Sequence, residues 1–296
     1  ITLYACGAPV LWGRDWNLTL FKNDADILTR TTDHPLVGGN VLASTEPLDV
    51  YRDFMAVPDL LGRKWAQLRD DMEKAGIKNP RLAVTELQLF AHLQGQGGPL
   101  TRETLVTPAT HAEALYDTLL YHRCIELLPF VDFVTQSATV NHGGGLRKER
   151  ERVYANPCHY AQSAFSAFNG STPVAIDLKC PLEKAPLVLP EVKPHGPLPD
   201  YPILSAIAAR ATDGALLVSL VHRGTSGPAR LAITIDGFAA KEAHLWQLSA
   251  EKPWLANTLA NPKAVVPTES AVNVANNALT IDIAPYTVAR LRIPPR

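Results

Sequence analysis

The sequence lacks most of the features that mark membrane, metal-binding and nucleic-acid-binding proteins. No apolar run reaches the roughly 18 residues that a membrane-spanning helix needs. The 4 cysteines are widely spaced and form no Cys-x-x-Cys pair, so their pattern does not favour a zinc site. One disulfide among them stays open. A formal net charge of -1 gives no electrostatic basis for binding nucleic acid or an anionic membrane.

The chain also lacks an initiating methionine and a charged leader. It begins Ile1-Thr2-Leu3-Tyr4-Ala5, which is typical of a β-strand. We therefore expect a processed chain or a fragment whose N-terminal part is missing. Any signal peptide would be lost with that part, so the compartment stays open between extracellular or periplasmic and cytoplasmic.

The composition is that of a folded protein, with 46% hydrophobic and 19% charged residues among 296. Over the first ~170 residues, strand and helix patterns alternate, which predicts a parallel sheet with right-handed crossovers. Four such strand–helix units are half of an eight-stranded barrel. Residues 1–172 are therefore predicted to be the C-terminal half of a (β/α)8 TIM barrel, strands 5 to 8. Its strands are predicted over residues 1–6, 25–29, 81–90 and 131–140, and its helices over residues 58–75, 111–127 and part of 150–168.

The pattern changes after about Asn169. Proline is dense over residues 173–202, and helical periodicity stops there. Short β-rich runs separated by Gly, Asp and Asn follow, and they predict an antiparallel β-sandwich over residues 173–296. The predicted strands cover residues 203–210, 215–223, 229–235, 242–248, 271–274, 278–283 and 287–293.

Glu86 is the residue around which a functional hypothesis forms. The run Arg81-Leu82-Ala83-Val84-Thr85-Glu86 places a carboxylate at or near the C-terminal end of a buried strand. A charge there is costly unless it is paired or functional. In a parallel barrel, catalytic residues lie at the carboxyl ends of the strands, so Glu86 is predicted to be catalytic. The alternative interpretation is a structural carboxylate bonded to a barrel arginine.

Several short motifs resemble the C-terminal portion of the α-L-arabinofuranosidases of glycoside hydrolase family 51. Thr85-Glu86-Leu87-Gln88 resembles the seventh barrel strand, where the nucleophile sits in an Asp-Glu-Trp-Asn-like context; only the Glu is kept, with an amide two positions on. Residues 131–141, ending Val140-Asn141, resemble the eighth strand, and residues 153–161 resemble the helix after it. Residues 26–34 are similar to the sixth strand, with His34 near the substrate-facing histidine. The last β-rich run begins Pro285-Tyr286-Thr287, as in the family's final strand.

The resemblance implies a retaining glycosidase that releases α-L-arabinofuranosyl residues from arabinose-containing polysaccharides, as in arabinan degradation. Glu86 would be the nucleophile, and no metal or organic cofactor is required. The family's acid/base Glu lies in an Asn-Glu pair at the end of the fourth strand, before residue 1, and no Asn-Glu pair occurs here. We therefore expect the isolated chain to be inactive and its partner to be the missing N-terminal half of the barrel. A homo-oligomer stays open.

Further candidate residues follow from the chemistry of such a site. His34, Gln88 and Asn141 are side chains suited to hold an ionised nucleophile and to bind sugar hydroxyls, and Gln136 joins Asn141 at the barrel rim. Trp12, with Trp16 beside it, has the aromatic face that stacks on sugar rings. Each has a structural alternative: a turn cap, a partner for backbone groups, or simple packing. Two alternative functions also stay open, a β-glucanase or β-xylosidase of the same fold and a non-catalytic carbohydrate-binding protein.

Overall fold

The computed structural model of the protein describes residues 1–137, 139–141 and 145–296. Its first half alternates strands and helices, as the sequence predicts. In chain order the elements are α1 (Arg14–Asp24), β1 (Arg30–Asp33), β2 (Leu36–Leu42), α2 (Pro47–Lys74), β3 (Arg81–Val84), β4 (Gln88–Gln94), α3 (His111–Glu126), β5 (Val131–Val134), β6 (Leu146–Glu149), β7 (Arg152–Ala155) and α4 (Pro157–Phe165). A parallel sheet forms with the order β1-β3-β5, and Ala5 adds to its outer edge through a parallel bridge to Thr31. The strands β2 and β4, which follow β1 and β3 in the chain, form a second parallel pair.

This parallel sheet is open rather than a closed barrel in the described part of the chain. Its central strand, β3, is buried at Leu82, Ala83 and Val84, and the helices α2 and α3 pack against each other beside it. The half-barrel prediction is therefore confirmed at the level of fold.

Two predicted strands are displaced. Residues 1–6 pair only at Ala5, and residues 25–29 form a turn rather than a strand. The carbonyl of Asp24 accepts the N–H groups of Ile27 and Leu28, so the end of α1 runs into this turn. The strand begins instead at Arg30, where the polar sequence Arg-Thr-Thr-Asp hid it from a search for apolar runs.

Two helices begin at a proline, α2 earlier than predicted and α4 within its predicted range of 150–168. α2 starts at Pro47 instead of residue 58, because proline fits the first turn of a helix, and Pro58 lies inside it. α4 starts at Pro157, after a hairpin of β6 and β7 that the sequence did not predict. β5 is shorter than predicted, and Ala138, inside the predicted strand 131–140, lies outside the described residues.

The second half of the chain is an antiparallel sandwich, as predicted. Its elements are β8 (Thr172–Val174), β9 (Leu182–Glu183), β10 (Tyr201–Pro202), β11 (Leu204–Arg210), β12 (Leu216–His222), β13 (Ala229–Thr234), β14 (Glu242–Ser249), β15 (Thr268–Asn273), β16 (Ala278–Ile283) and β17 (Thr287–Ile293). A six-stranded sheet in the order β15-β14-β17-β12-β11-β8 packs against the pair β13-β16 through a shared apolar core. Along β16, buried and less buried residues alternate, so one face of this strand turns toward the core.

Helix α3 lies at the junction of the two halves. It packs against α2, α4, β4 and β5 on one side and against β11, β12 and β17 of the sandwich on the other. His122 on this helix lies between the hydroxyls of Ser205 and Ser219, at 2.9 and 2.8 Å. Because α3 is enclosed on nearly all sides, even its polar residues are buried.

No helix among the described residues is both long and apolar enough to cross a membrane. All 4 cysteines are free thiols, so no disulfide joins them.

Candidate active site

Glu86 lies on a short crossing between β3 and β4. The crossing consists of Thr85, Glu86 and Leu87, at the carboxyl end of β3. Glu86 is the only exposed side chain between Leu82 and Leu89, because Leu87 turns into the core and Thr85 is half-buried beside His34. A single carboxylate is thereby presented to solvent at the end of a buried strand.

Backbone hydrogen bonds hold this crossing at both ends. The N–H of Thr85 donates to the carbonyl of Asp33 at 3.0 Å, which ties the crossing to the end of β1. The hydroxyl of Thr135, just after β5, donates to the carbonyl of Thr85 at 2.6 Å. On the far side, the N–H of Gln88 donates to the carbonyl of Pro35 at 3.3 Å. The backbone beside Glu86 is thus fixed by the neighbouring strand ends.

Side chains from the ends of β1 and β5 lie on either side of the Glu86 crossing. The hydroxyl of Ser137 donates to Oε2 of Glu86 at 3.3 Å. Nδ1 of His34 lies 2.6 Å from the hydroxyl of Thr85, one residue before Glu86. Since β1, β3 and β5 are parallel, their carboxyl ends share one edge, and His34 and Ser137 are brought to that edge from either side.

Four other predicted site residues have different surroundings. Gln88 is 1% exposed, and its amide nitrogen has no hydrogen-bond partner in the described structure. The amide of Gln136 donates to Oδ2 of the buried Asp117 at 2.5 Å. Asn141 is exposed, and its side chain bonds the backbone of Lys148 at 2.6 and 3.0 Å. Trp12 is exposed, with its ring 6.3 Å from that of His195. Their contacts with a sugar stay predictions.

Asp33 connects the Trp12 loop to the sheet edge. Its carboxyl accepts the N–H of Val10 at 3.0 Å and the indole N–H of Trp65 at 2.5 Å. Complete burial raises the pKa of Asp33, and these hydrogen bonds only partly oppose the shift. The loop that carries Val10 and Trp12 is thereby anchored beside His34.

The arginines of the parallel sheet bind a different carboxylate from Glu86. Asp132 on β5 lies 3.5 Å from Arg30 and 3.4 Å from Arg81, and it accepts the hydroxyl of Tyr4 at 2.7 Å. Arg30 and Arg81 pair in register at the start of β1 and β3, at the opposite end of the strands from Glu86. The structural alternative for Glu86, a bond to a barrel arginine, therefore has no support from these two residues.

The sequence interpretation missed three residues of this site. Ser137 lay in a recognised segment, but no pattern assigned its hydroxyl to Glu86. Glu113 and Asp117, on α3 behind this edge, were passed over because charged residues on an amphipathic helix usually lie on its solvent-exposed face. Within residues 1–137, 139–141 and 145–296, no group of three or more His, Cys, Asp or Glu side chains is placed to hold a metal ion.

An open parallel sheet with a carboxylate at a strand end, joined to a β-sandwich, is an arrangement that this chain shares with the C-terminal portions of barrel-and-sandwich glycosidases. The chain belongs to the α-L-arabinofuranosidase C-terminal domain family, whose model matches residues 131–287. Its fold is that of the C-terminal portion of glycoside hydrolase family 51 enzymes, as the resemblance in the sequence implied.

Three solved structures show this likeness. The family 51 arabinofuranosidase from Xanthomonas axonopodis pv. citri has a TM-score of 0.80 at 14% identity, over 98% of this chain and 57% of that one. The family 51 enzyme from Bifidobacterium longum has a TM-score of 0.76 at 18% identity, over 99% and 59%. The α-L-arabinofuranosidase from Thermotoga maritima, in an arabinose complex, has a TM-score of 0.73 at 16% identity, over 99% and 57%.

At these identities the likeness concerns the fold alone. The chain spans little more than half the length of these solved structures, 57% in the first of them. No curated protein sequence matches this chain.

Proposed function

We propose that the full-length protein is a retaining glycoside hydrolase that releases α-L-arabinofuranosyl residues from arabinose-containing polysaccharides such as arabinan. Glu86 is its nucleophile. The observation that carries this proposal is the place of Glu86, the one exposed side chain between Leu82 and Leu89, at a strand's carboxyl end in a chain of this family. A carboxylate so placed can reach the anomeric carbon of a sugar bound over the sheet edge.

The reaction takes two displacements. Glu86 attacks the anomeric carbon while a second carboxyl group gives its proton to the departing oxygen, and the same group then deprotonates the water that releases the sugar. The anomeric configuration is retained because it is inverted twice. The hydroxyl of Ser137 supports the ionised form of Glu86 by donating a hydrogen bond to it. No step requires a metal or an organic cofactor.

The second carboxyl group is expected from the part of the longer relatives that this chain does not span, roughly 5–5.5 Å from Glu86. In this proposal, residues 1–172 are the C-terminal half of a TIM barrel and residues 173–296 its sandwich domain. The missing barrel strands pair with the free edges of β5 and of the segment at Ala5. The isolated chain is accordingly expected to be inactive, because it has the nucleophile without the acid/base.

Substrate contacts are proposed for residues around the same edge. His34, held by Thr85, and Asn141 approach the sugar from the strands on either side of Glu86, and Gln136 lines the floor between them. Trp12 offers an exposed ring for stacking. Gln88 contacts a sugar only if its buried amide turns toward the opening.

The test uses a Glu86→Gly variant of the full-length protein with an aryl α-L-arabinofuranoside. We expect hydrolysis to fall by at least about a thousandfold. Added azide should restore release of the aryl oxide, because azide attacks the anomeric carbon in place of the missing carboxylate. The product should be the glycosyl azide of inverted configuration. Glu103→Gly removes an exposed carboxylate away from the strand end and should leave activity unchanged.

Unchanged hydrolysis by Glu86→Gly would reject the nucleophile assignment. The same assay with an aryl β-xyloside and a soluble β-glucan separates the alternative glycosidases of this fold. A wild-type protein that binds arabino-oligosaccharide in calorimetry but cleaves none of the three substrates would instead be a carbohydrate-binding protein.

A further inference from the structure

Two carboxyl groups are buried one helical turn apart on α3. Glu113 and Asp117 have no exposed surface, because α3 is enclosed by the half barrel and the sandwich. Neither forms a salt bridge within the described residues. Burying a carboxylate without a cation is costly, so a pair that persists here calls for an explanation.

Each carboxyl group reaches one of the two segments that border Glu86. Oε2 of Glu113 accepts the N–H of Leu89 at 3.1 Å, three residues after Glu86. Oδ2 of Asp117 accepts the amide of Gln136 at 2.5 Å, and the next residue, Ser137, donates to Glu86. The two carboxyl groups therefore hold the backbone behind the nucleophile and the segment of its hydrogen-bond donor.

We infer that Glu113 and Asp117 are positioning residues, which fix the Glu86 crossing and the Ser137 segment together and must keep a proton to do so. The inference rests on the proposed function for the role of Glu86. Its physical content, a proton-dependent clamp on residues 86–89 and 135–137, can be measured without it.

The surroundings favour the protonated form. Burial raises the pKa of Glu113 to about 8, and it raises the pKa of Asp117 well above its usual range, with the charge of Glu113 adding to the shift. The titratable groups that face the pair are Tyr116 and Tyr121 on α3 and Cys158 on α4, and none of these can carry a positive charge.

The second oxygens of the two carboxyl groups point to the same state. Oε1 of Glu113 and Oδ1 of Asp117 form no hydrogen bond of ordinary geometry in the described structure, although the amide of Gln162 lies near Asp117 and partly offsets the effect of burial. An ionised oxygen without a partner would be far less stable there than a protonated one. When pH rises past the pKa of Glu113, a negative charge forms with no cation beside it, and the packing around α3 must open to water to solvate that charge, so the hold on Leu89 and Gln136 is loosened.

The first measurement follows hydrogen exchange of this 296-residue chain at pH 7 and pH 9, corrected for intrinsic rates. In the wild type, protection of residues 86–89 and 135–137 should fall by at least about tenfold at pH 9, while the sandwich strand β12 keeps its protection. The Glu113→Gln variant keeps an acceptor for Leu89 but cannot ionise, so its protection should be the same at both pH values. Glu73→Gln, an exposed carboxylate at the end of α2, should behave like the wild type.

The second measurement uses the full-length protein and its pH profile. Glu113→Gln should keep kcat/KM within about threefold at pH 7 and move the alkaline fall in rate to higher pH, whereas Asp117→Asn, which leaves Glu113 able to ionise, should keep the alkaline limb of the wild type. Glu113→Leu, which cannot hold Leu89, should lose activity at every pH. A merely structural role would not move the alkaline limb.

The outcomes separate this inference from the proposed function. Equal protection of the wild type at pH 7 and pH 9, or an equal loss in Glu113→Gln, overturns the proton-dependent clamp. If the exchange result is as expected but the wild-type full-length protein hydrolyses no arabinofuranoside, the clamp stands and the proposed function fails.

Discussion

The hydroxyl of Ser137 donates to Oε2 of Glu86 across 3.3 Å, and it joins strand ends that are 51 residues apart in the chain. This contact is the direct side-chain support that the structure gives to the exposed carboxylate. Because of this contact, a substitution in the segment after β5 is expected to affect Glu86, which follows β3.

Under the proposed function, replacing Ser137 with alanine should lower kcat of the full-length protein without unfolding it. A hydrogen bond to a charged group contributes about 1.5–3 kcal/mol, and this one is long and partly exposed, so a loss of about tenfold is expected. Steady-state kinetics on an aryl arabinofuranoside give the value. Ser166→Ala is the matched control, since that hydroxyl lies just after α4 and donates to the carbonyl of Ser163. Equal kcat for Ser137→Ala and Ser166→Ala would show that Ser137 gives Glu86 no support.

Asp53 on α2 holds the proline-rich segment that precedes the sandwich. Its carboxyl accepts the N–H groups of Leu187, Val188 and Leu189. Asp53→Asn should weaken all three hydrogen bonds, because the charge is lost and an amide N–H replaces one acceptor. We expect a loss of about 2–4 kcal/mol in the free energy of unfolding, measured in urea.

Limited proteolysis should locate this effect. The Asp53→Asn variant is expected to be cut near residues 187–200 before the rest of the chain unfolds. Asp49→Asn, on the same helix one turn earlier and partly exposed, should change neither stability nor cutting by much. A uniform loss of protection across the whole chain would contradict a local role.

Much of the fold follows from the sequence, because its signals are local. The apolar run at Leu82–Val84 predicts a buried strand, and the short β-rich runs of the second half predict the strands of the sandwich. The strands from β11 to β17 lie within a few residues of the predicted ranges. The pairing of β2 with β4 has no such signal. It depends on Gly38, where a Cβ atom would lie 2.5 Å from the carbonyl carbon of Phe90, and close approach of this kind is seen only in three dimensions.

The candidate site was predictable only in part, for the same reason. Glu86 stands out because it is a charge in an apolar run. Glu113 and Asp117 look like ordinary polar positions on a helix, and their burial comes from tertiary packing of α3 against β4, β5 and α4. Gln88 shares a face with Glu86 in a regular strand, but the strand ends at Val84 and the crossing turns its amide inward.

A buried arginine stabilises the junction between the half barrel and the sandwich. Arg223, 1% exposed, lies 2.8 Å from Asp59 and donates to the carbonyls of Met55 and Pro202 at 2.6 and 2.8 Å. Arg223→Met should cost about 3–5 kcal/mol, because Asp59 loses a buried partner and two carbonyls lose their donor. Arg292→Met is the control: that arginine pairs with Asp213 at the surface, so its loss should cost less than about 1 kcal/mol. Similar urea midpoints for the two variants would contradict this assignment.

His111 should make the same junction sensitive to acid. Its Nε2 donates to the carbonyl of Tyr286 at 2.5 Å, and burial lowers the pKa of His111 from 6.5 to about 4. Because the folded-state pKa is depressed, the neutral form contributes stability that is present above pH 6.5 and is lost as the pH falls toward 4. The shift corresponds to about 3 kcal/mol.

Urea unfolding at pH 7, 5.5 and 4 measures this loss. Glu113 titrates with the opposite sign over part of this range, so the relevant quantity is the difference between the wild type and His111→Gln. Glutamine can donate to Tyr286 without titrating, and the variant should therefore lose about 3 kcal/mol less than the wild type between pH 7 and pH 4. His92→Gln, at an exposed position on β4, should follow the wild type. If His111→Gln and the wild type lose stability in parallel, His111 is not the acid-sensitive group, and another buried base at the junction, such as His122, is the next to test.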